Sequence, residues 1–168
     1  SDYIEDIYLY NGRLVVISAY SSQTEDNDTQ DAQLDCFRIY GSDTKISIYD
    51  PQNNMNLIGN YIQEGTYNDV RLTSDGYLYL ISDAEKYITN GKVSEDDIEL
   101  YVPKYSVNDK ENYVSAECIV VPEQPVDECA DYVSYTNTAG FDLNSQAPYS
   151  PVDVKSVAGS ASYVYCSS

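Results

Sequence analysis

The feature that most constrains this chain is that it repeats itself. Asp6-Ile7-Tyr8-Leu9-Tyr10-Asn11-Gly12-Arg13-Leu14-Val15-Val16-Ile17-Ser18 lies over Asp69-Val70-Arg71-Leu72-Thr73-Ser74-Asp75-Gly76-Tyr77-Leu78-Tyr79-Leu80-Ile81-Ser82, the second copy having one more turn residue. Asp6 and Asp69 stand 63 residues apart, and Gly12 and Gly76 stand 64 apart. A shorter third copy, Gly159 to Ser168, overlays Gly65 to Ser74 position for position. Such a period marks a supersecondary unit that cannot bury its apolar face alone and stacks on its neighbours. On the overlay, Ile7, Val70 and Val164 are expected to share one inward site, and Leu9, Leu72 and Cys166 the next.

Each full copy reads as two hairpins. Tyr3 to Tyr10 and Arg13 to Tyr20 flank Asn11-Gly12, the strongest short signal for a tight hairpin turn. Lys45 to Tyr49 and Asn56 to Ile62 make a second hairpin around residues 50–54, and Thr66 to Thr73 and Tyr77 to Ser82 a third around Ser74-Asp75-Gly76. Asp131 to Leu143 and Val152 to Val157 read as a fourth pair, joined by a loop holding Pro148 and Pro151. Helical i, i+3, i+4 stripes are scarce, and 19 Tyr against 2 Phe suit half-buried pleated surfaces. Four antiparallel strands per repeat predict an all-β chain of the β-propeller type. Residues 1–65 are assigned to a first blade with an acidic loop over 21–43. Residues 66–158 form a second blade with a long insertion over 83–130, and residues 159–168 the opening strand of a third. Because propellers close with roughly 4–8 blades, the chain is expected to be a fragment of a larger ring. Within the insertion only Ile98 to Val102 and Ala116 to Val121 read as strand-like. Tyr101, Val102 and Tyr105 are expected to pack against a blade, and Lys86 to Asp97 to be mobile.

Charge and composition exclude several function classes. With 28 acidic and 9 basic residues the net charge is −19, which repels phosphate backbones and anionic lipid. Neither nucleic acid nor a membrane surface is an expected partner. No apolar run approaches the ~18 residues of a membrane span. His and Trp are absent, which removes the commonest general base and every Ser-His or Cys-His nucleophile pair. Carboxylate, Tyr, Lys and Arg chemistry remains.

Five segments in fixed order resemble a known family: YNGRLVVIS (Tyr10 to Ser18), TKISIYDPQNNMNLIGNY (Thr44 to Tyr61), EGTYNDVRLTSDGYLYLIS (Glu64 to Ser82), YVPKYS (Tyr101 to Ser106) and AGSASYVYCSS (Ala158 to Ser168). They resemble secreted bacterial and archaeal proteins with a C-terminal β-propeller domain distantly related to WD40 repeats. The resemblance implies the propeller fold and an extracellular location, secreted or anchored at the cell surface, and it implies no activity. In that family pattern an Arg follows the interblade Gly, which is Gly65 here. Arg71 is therefore expected to form a structural ion pair with a neighbouring carboxylate.

Other candidate groups carry weaker signals. Arg13, Arg38 and Arg71 are the only arginines, and sialidases clamp their substrate with three, but no Ser-x-Asp-x-Gly-x-Thr-Trp box accompanies them. Asp26, Asp28 and Asp31 lack the EF-hand spacing, since Gln30 and Asp31 stand where an oxygen ligand and Gly belong. They and Glu95-Asp96-Asp97 read as solvated loops. Tyr77, Tyr79, Tyr101 and Tyr105 flank loops where a sugar-stacking site would lie, against the simpler reading that Tyr replaces Phe throughout the sheets. Cys36, Cys118, Cys129 and Cys166 show no C-x-x-C spacing, so no metal is assigned. Cys118 and Cys129 lie closest in sequence, within the insertion, and are the expected disulfide in an oxidising compartment. No cofactor and no catalytic residue is assigned.

These features favour a non-enzymatic extracellular module that binds or adheres to a protein or glycan through loops on a repeated scaffold. The alternative is a carbohydrate-active enzyme, glycoside hydrolase or sialidase-like, using carboxylates and Tyr in the complete propeller. Open blade edges and uncovered blade faces are expected to promote self-association.

Overall fold

Val15 and Ile17 alternate with less buried neighbours along one strand, and both are fully buried, the period-2 burial of a sheet with one face on a core. The computed structural model describes residues 3–21, 42–87, 101–122 and 132–159. β1 (Ile4–Tyr10) and β2 (Arg13–Tyr20) are joined by Asn11 and Gly12, whose positive φ values of 46° and 73° match the right-handed twist of a two-residue hairpin. β3 (Asp43–Asp50) and β4 (Asn56–Gln63) complete a four-stranded antiparallel unit. β5 (Thr66–Leu72) and β6 (Tyr77–Tyr87) open the second unit. Next come β7 (Lys104–Val107), β8 (Lys110–Tyr113) and a two-residue β9 (Ile119–Val120), before β10 (Tyr132–Asp142) and β11 (Asp153–Ala158) finish it. The two sheets run β1-β2-β3-β4-β7-β8 and β5-β6-β10-β11-β9. The chain is all-β, with two blades as the repeat predicts. Most of the acidic loop and the expected strand over 160–168 lie outside the described residues.

The repeat has a local physical cause. Both copies carry a register shift in their first strand, between Ile4 and Asp6 and between Tyr67 and Asp69. At each bulge the aspartate accepts a hydrogen bond from the next backbone N–H, Ile7 to Asp6 at 2.9 Å and Val70 to Asp69 at 2.8 Å. A short acceptor side chain thus serves backbone that the ladder leaves unpaired.

The two blades pack face to face. Paired residues share a face of a sheet, so Val15, Ile17, Ile46, Ile48 and Tyr61 form one surface of the first blade. It meets Val70, Leu78, Leu80, Ala139 and Phe141 of the second, in a single core cluster. Tyr61 packs edge-on against Phe141, with ring centroids 4.9 Å apart. Each such fully buried side chain stabilises the pair by about 1.5–3 kcal/mol relative to exposure. At the margin, Tyr149 lies directly over Gly59, where a Cβ would come within 2.3 Å of the ring. Arg13 donates across the seam to the Leu143 carbonyl.

Three expectations are corrected. The insertion is not wholly outside the blade framework, because β7 pairs antiparallel with β4 and β7–β8 extends the first blade's sheet rather than decorating the second. Val102 precedes this hairpin outside any strand, and Ala116–Cys118 is a 3-10 turn rather than strand. Tyr101, Val102 and Tyr105 are half-buried as expected, and Tyr105 packs on the core. Second, Ile7 and Leu9 are 53% and 72% exposed, whereas Val70 is 2% exposed. The same position is inward only where another blade covers it, and among the described residues none buries Ile7 or Leu9. Val164 and Cys166 lie outside the described residues. Third, Lys86 is buried at the end of β6 and belongs to no mobile loop.

Gly65 makes the crossover between blades with φ +104°, and a Cβ there would lie 2.6 Å from the Asp83 carbonyl oxygen. Gly65→Ala combines a strained backbone with a clash against main chain and is expected to destabilise by about 2–3 kcal/mol. Gly159→Ala, with φ +133° and no atom within 4 Å, is expected to cost measurably less. Urea unfolding of the two variants compares them directly.

Candidate functional site

The blade junction is built around Glu64. The residue follows β4 and precedes the crossover glycine, so its main chain faces blade 2 while its side chain meets the inserted hairpin. Its carbonyl accepts from Ser82 Oγ at 2.8 Å and Asn137 Nδ2 at 3.1 Å. Its N–H donates to the Lys104 carbonyl at 3.1 Å, and its Oε2 accepts from the Lys104 N–H at 3.0 Å. Oε2 also pairs with Lys86 Nζ at 2.9 Å, the two side chains being 1% and 5% exposed. Lys86 Nζ donates in turn to the Val102 carbonyl at 2.9 Å. Buried charges persist only when paired and hydrogen-bonded in this way. Glu64 Oε1 has no hydrogen-bond partner among the described residues, so negative charge is left incompletely balanced there.

Beside the junction lies a cleft of about 260 Å³ between β4 and the β7–β8 hairpin. Asp43, Glu64, Asp109 and Glu111 supply its carboxylates, Lys104 its cation, and Tyr20, Tyr105, Ser106 and Ile62 its remaining walls. The hairpin turn that carries Asp109 uses Asn108 and Asp109 with φ of 46° and 65°, the two-residue turn geometry again. Asn108 anchors it: its Oδ1 accepts from Asn60 N at 2.9 Å, and its N–H donates to Asn60 O at 3.0 Å. Among the described residues no three carboxylates or thiols converge tightly enough to hold a metal ion.

The acids of the cleft differ in environment. Burial pushes the Asp43 carboxyl from 3.8 up to about 6, with the Glu64 charge adding to the rise. The Gly65 N–H, 3.3 Å from Oδ1, and the charges of Lys104 and Lys86 oppose it. Glu111 is held below the usual range chiefly by its hydrogen bond from Lys104 Nζ at 3.2 Å. Burial would lower Lys104, but the Glu111 bond and the Glu111, Glu64 and Asp43 charges outweigh it and raise it.

The residues singled out from sequence fall elsewhere. Arg71 does pair with a carboxylate, Asp69 at 2.7 Å, but two residues away on its own strand and 51% exposed. Such pairs contribute at most about 1 kcal/mol. Arg13 faces the interblade seam and Arg71 the opposite face of blade 2, so the two do not form a clamp, and Arg38 lies outside the described residues. Of the four tyrosines, Tyr105 lines the cleft, whereas Tyr77 and Tyr79 sit on the face of blade 2 turned away from blade 1. Cys118 is half-buried with a free thiol. Cys129, Cys36, Cys166, Asp26, Asp28, Asp31 and Glu95-Asp96-Asp97 lie outside the described residues. Sequence reasoning missed Asp43, Glu64, Lys86, Asp109 and Glu111. The one signal available was Glu64 standing next to the interblade Gly65.

With two stacked four-stranded antiparallel units on the page, comparison with known proteins decides the family. A family model described as "Beta propeller domain" matches residues 1–168. The chain belongs to the β-propeller domain family. No curated protein and no solved structure matches it.

In this propeller domain, Lys86→Met leaves Glu64 buried and uncompensated and is expected to cost about 3–5 kcal/mol. The double variant Lys86→Met, Glu64→Gln is expected to recover most of that loss. Chemical unfolding of both variants measures it. A second expectation concerns pH. The folded Asp43 binds its proton more tightly than the unfolded chain does, so its contribution is fully present below about pH 3.8 and is lost as pH rises through about 6. Asp43→Asn should flatten the stability profile across that window, and carbon-detected NMR titration should place the wild-type Asp43 midpoint near 6.

Proposed function

We propose that this β-propeller domain is a non-enzymatic, extracellular binding module whose acidic cleft takes a basic side chain of a partner protein. The observation that carries the reading is the cleft itself. Four carboxylates and two tyrosines surround one lysine in a walled space at the edge of a rigid sheet, a setting that favours an ammonium or guanidinium group by charge and by aromatic contact. Tyr20 already carries Lys45 Nζ 5.2 Å from its ring centroid, so its environment suits a cation. The resemblance to secreted propeller proteins supports the location.

The protein ligand is favoured over the glycan because the candidate stacking tyrosines do not share one platform. The enzymatic alternative is disfavoured by Glu64. Its Oε2 is held by Lys86 and the Lys104 N–H, and its Oε1 is buried, so it reaches no substrate. Glu64 is therefore withdrawn as a partner for Asp43 in the paired acid–base hydrolysis that two carboxylates perform.

The test is titration of fluorescent tetralysine and tetraarginine peptides into the protein at two salt concentrations, beside a glycan array and a chromogenic glycoside panel. Asp43→Asn with Asp109→Asn is expected to weaken peptide binding about tenfold or more, the order of one buried charge contact. Glu5→Gln with Glu117→Gln, which removes equal charge from exposed positions away from the cleft, should change it little. Equal losses in both double variants would reduce the effect to net charge, and turnover of any glycoside would replace this reading with the enzymatic one.

A further inference from the structure

The two blades close on the same joint, and only one of them puts charge there. Thr44 pairs with Gln63 at the end of the β3–β4 ladder, and its Oγ1 donates to the Gly65 carbonyl at 2.8 Å. Thr136 pairs with Val157 in blade 2, and its Oγ1 donates to the Gly159 carbonyl at 3.3 Å. One step further along the strands, blade 2 sets Tyr135 opposite Ala158, whereas blade 1 carries Asp43 and Glu64 at the corresponding places. The joint therefore forms without carboxylates, and two like charges on neighbouring strands are a cost that it does not require. What the two acids share is the cleft, which both of them line.

Glu64 is pinned, and Asp43 is the acid left to respond. Glu64 is 2% exposed, its Oε2 held by Lys86 Nζ at 2.9 Å and by the Lys104 N–H at 3.0 Å, and its Oε1 has no hydrogen-bond partner among the described residues. An incompletely answered negative charge thus stands beside Asp43. Burial first, and the Glu64 charge with it, push the Asp43 carboxyl up to about 6, against the Gly65 N–H and the charges of Lys104 and Lys86. On the inserted hairpin, Lys104 holds Glu111 below the usual carboxylate range, and the Glu111 bond in turn raises Lys104. Asp109 on the hairpin turn is exposed, and Tyr20 and Tyr105 complete the walls. We propose that the cleft trades a proton for its ligand: a guanidinium or ammonium group that enters displaces the proton of Asp43 and takes its place against the carboxylate. The O–H bond of the Asp43 carboxyl breaks, its proton passes to water or buffer, and no covalent bond forms. The inference rests on the cleft being the binding site proposed above, and it adds a direction, a grip that is firm at neutral pH and slackens in mild acid. Below the midpoint of the carboxyl the ligand must expel a proton before it meets a charge, so affinity falls with pH.

Isothermal titration calorimetry of N-acetylated tetraarginine into the full chain counts the protons when it is run in pairs of buffers with different ionisation heats, because the guanidinium groups themselves stay charged throughout. At pH 6 about half a proton is expected to be released per peptide bound, and at pH 8 close to none. Affinity is expected to fall about tenfold between pH 7.5 and pH 5, with circular dichroism confirming the fold at each pH. Asp43→Asn keeps an acceptor for the Gly65 N–H and is expected to bind weakly, with no proton released at pH 6; Asp43→Ser replaces it where it does not fold. Asp109→Asn is expected to weaken binding and still release the proton. Binding at pH 7.5 with no released proton at pH 6 and the same affinity at pH 5 would overturn the inference and leave the binding reading standing. Proton release that persists in Asp43→Asn would overturn it as well, by assigning the proton to another group. A peptide that does not bind at pH 7.5 would remove the binding reading and this inference together.

Discussion

The arrangement of the two blades depends on the three residues at their junction, Gln63, Glu64 and Gly65. Apolar faces attract without direction, so Val15, Ile17 and Ile48 alone would allow the second sheet to slide or rotate. The polar contacts remove that freedom. Gln63 Nε2 donates to Ser82 Oγ at 2.8 Å and to the Asn137 carbonyl at 3.2 Å, and Asn137 accepts from Ser156 Oγ at 2.6 Å. Together with the Glu64 carbonyl they tie β4, β6, β10 and β11 into one register. Each group is buried, so any shift would leave donors and acceptors unmet at roughly 1–3 kcal/mol apiece. The Glu64 and Lys86 pair extends this ladder to the inserted hairpin. Its net stabilisation is small once desolvation is counted, and its effect is to specify geometry.

What the sequence made legible follows from which interactions are local. The Asn11-Gly12 turn, the alternation along β2 and β3, and the aspartate-capped bulges are determined within a few residues, and the repeat multiplies the signal. The all-β propeller fold could be read on that basis. The inward position of Ile7 and Leu9 could not, because inwardness belongs to a pair of blades and the overlay carries no information about which face is covered. β7 and β8 escaped notice for a different reason. Lys104-Tyr105-Ser106-Val107 and Lys110-Glu111-Asn112-Tyr113 bury few side chains, so their periodicity is weak. They are strands because β4 offers an edge to pair with. Only the Asn108-Asp109 turn carried a local mark.

The candidate site was less legible still. Asp43 on β3, Glu64 just after β4, and Asp109 and Glu111 on the inserted hairpin are far apart in the chain, and each alone reads as an ordinary surface charge among 28 acids. Lys86 shows the same limit. A lysine in a polar stretch is normally solvated, and only the carboxylate waiting across the junction reverses that expectation. Charge pairs of this kind are properties of the folded chain, which is why the arginines, the easier residues to notice, proved peripheral.

The insertion joins the sheet at its outermost strand, and this position explains how a long added segment is accommodated. The inner strands β2 and β3 carry the alternation of Val15, Ile17, Ile46 and Ile48 that stacks blade on blade, so an extra residue there would move a whole apolar set to the wrong face. β4 ends the sheet and has one free edge, and a hairpin can be added there without altering the register of any stacked strand. It brings its own charges, Lys104, Asp109 and Glu111, to the one place where the blade junction already holds Glu64 and Asp43. The repeat therefore supplies the scaffold and the insertion most of the cleft's charge, and substitutions in β7 and β8 are free to alter the charge of the cleft while the interblade face stays unchanged.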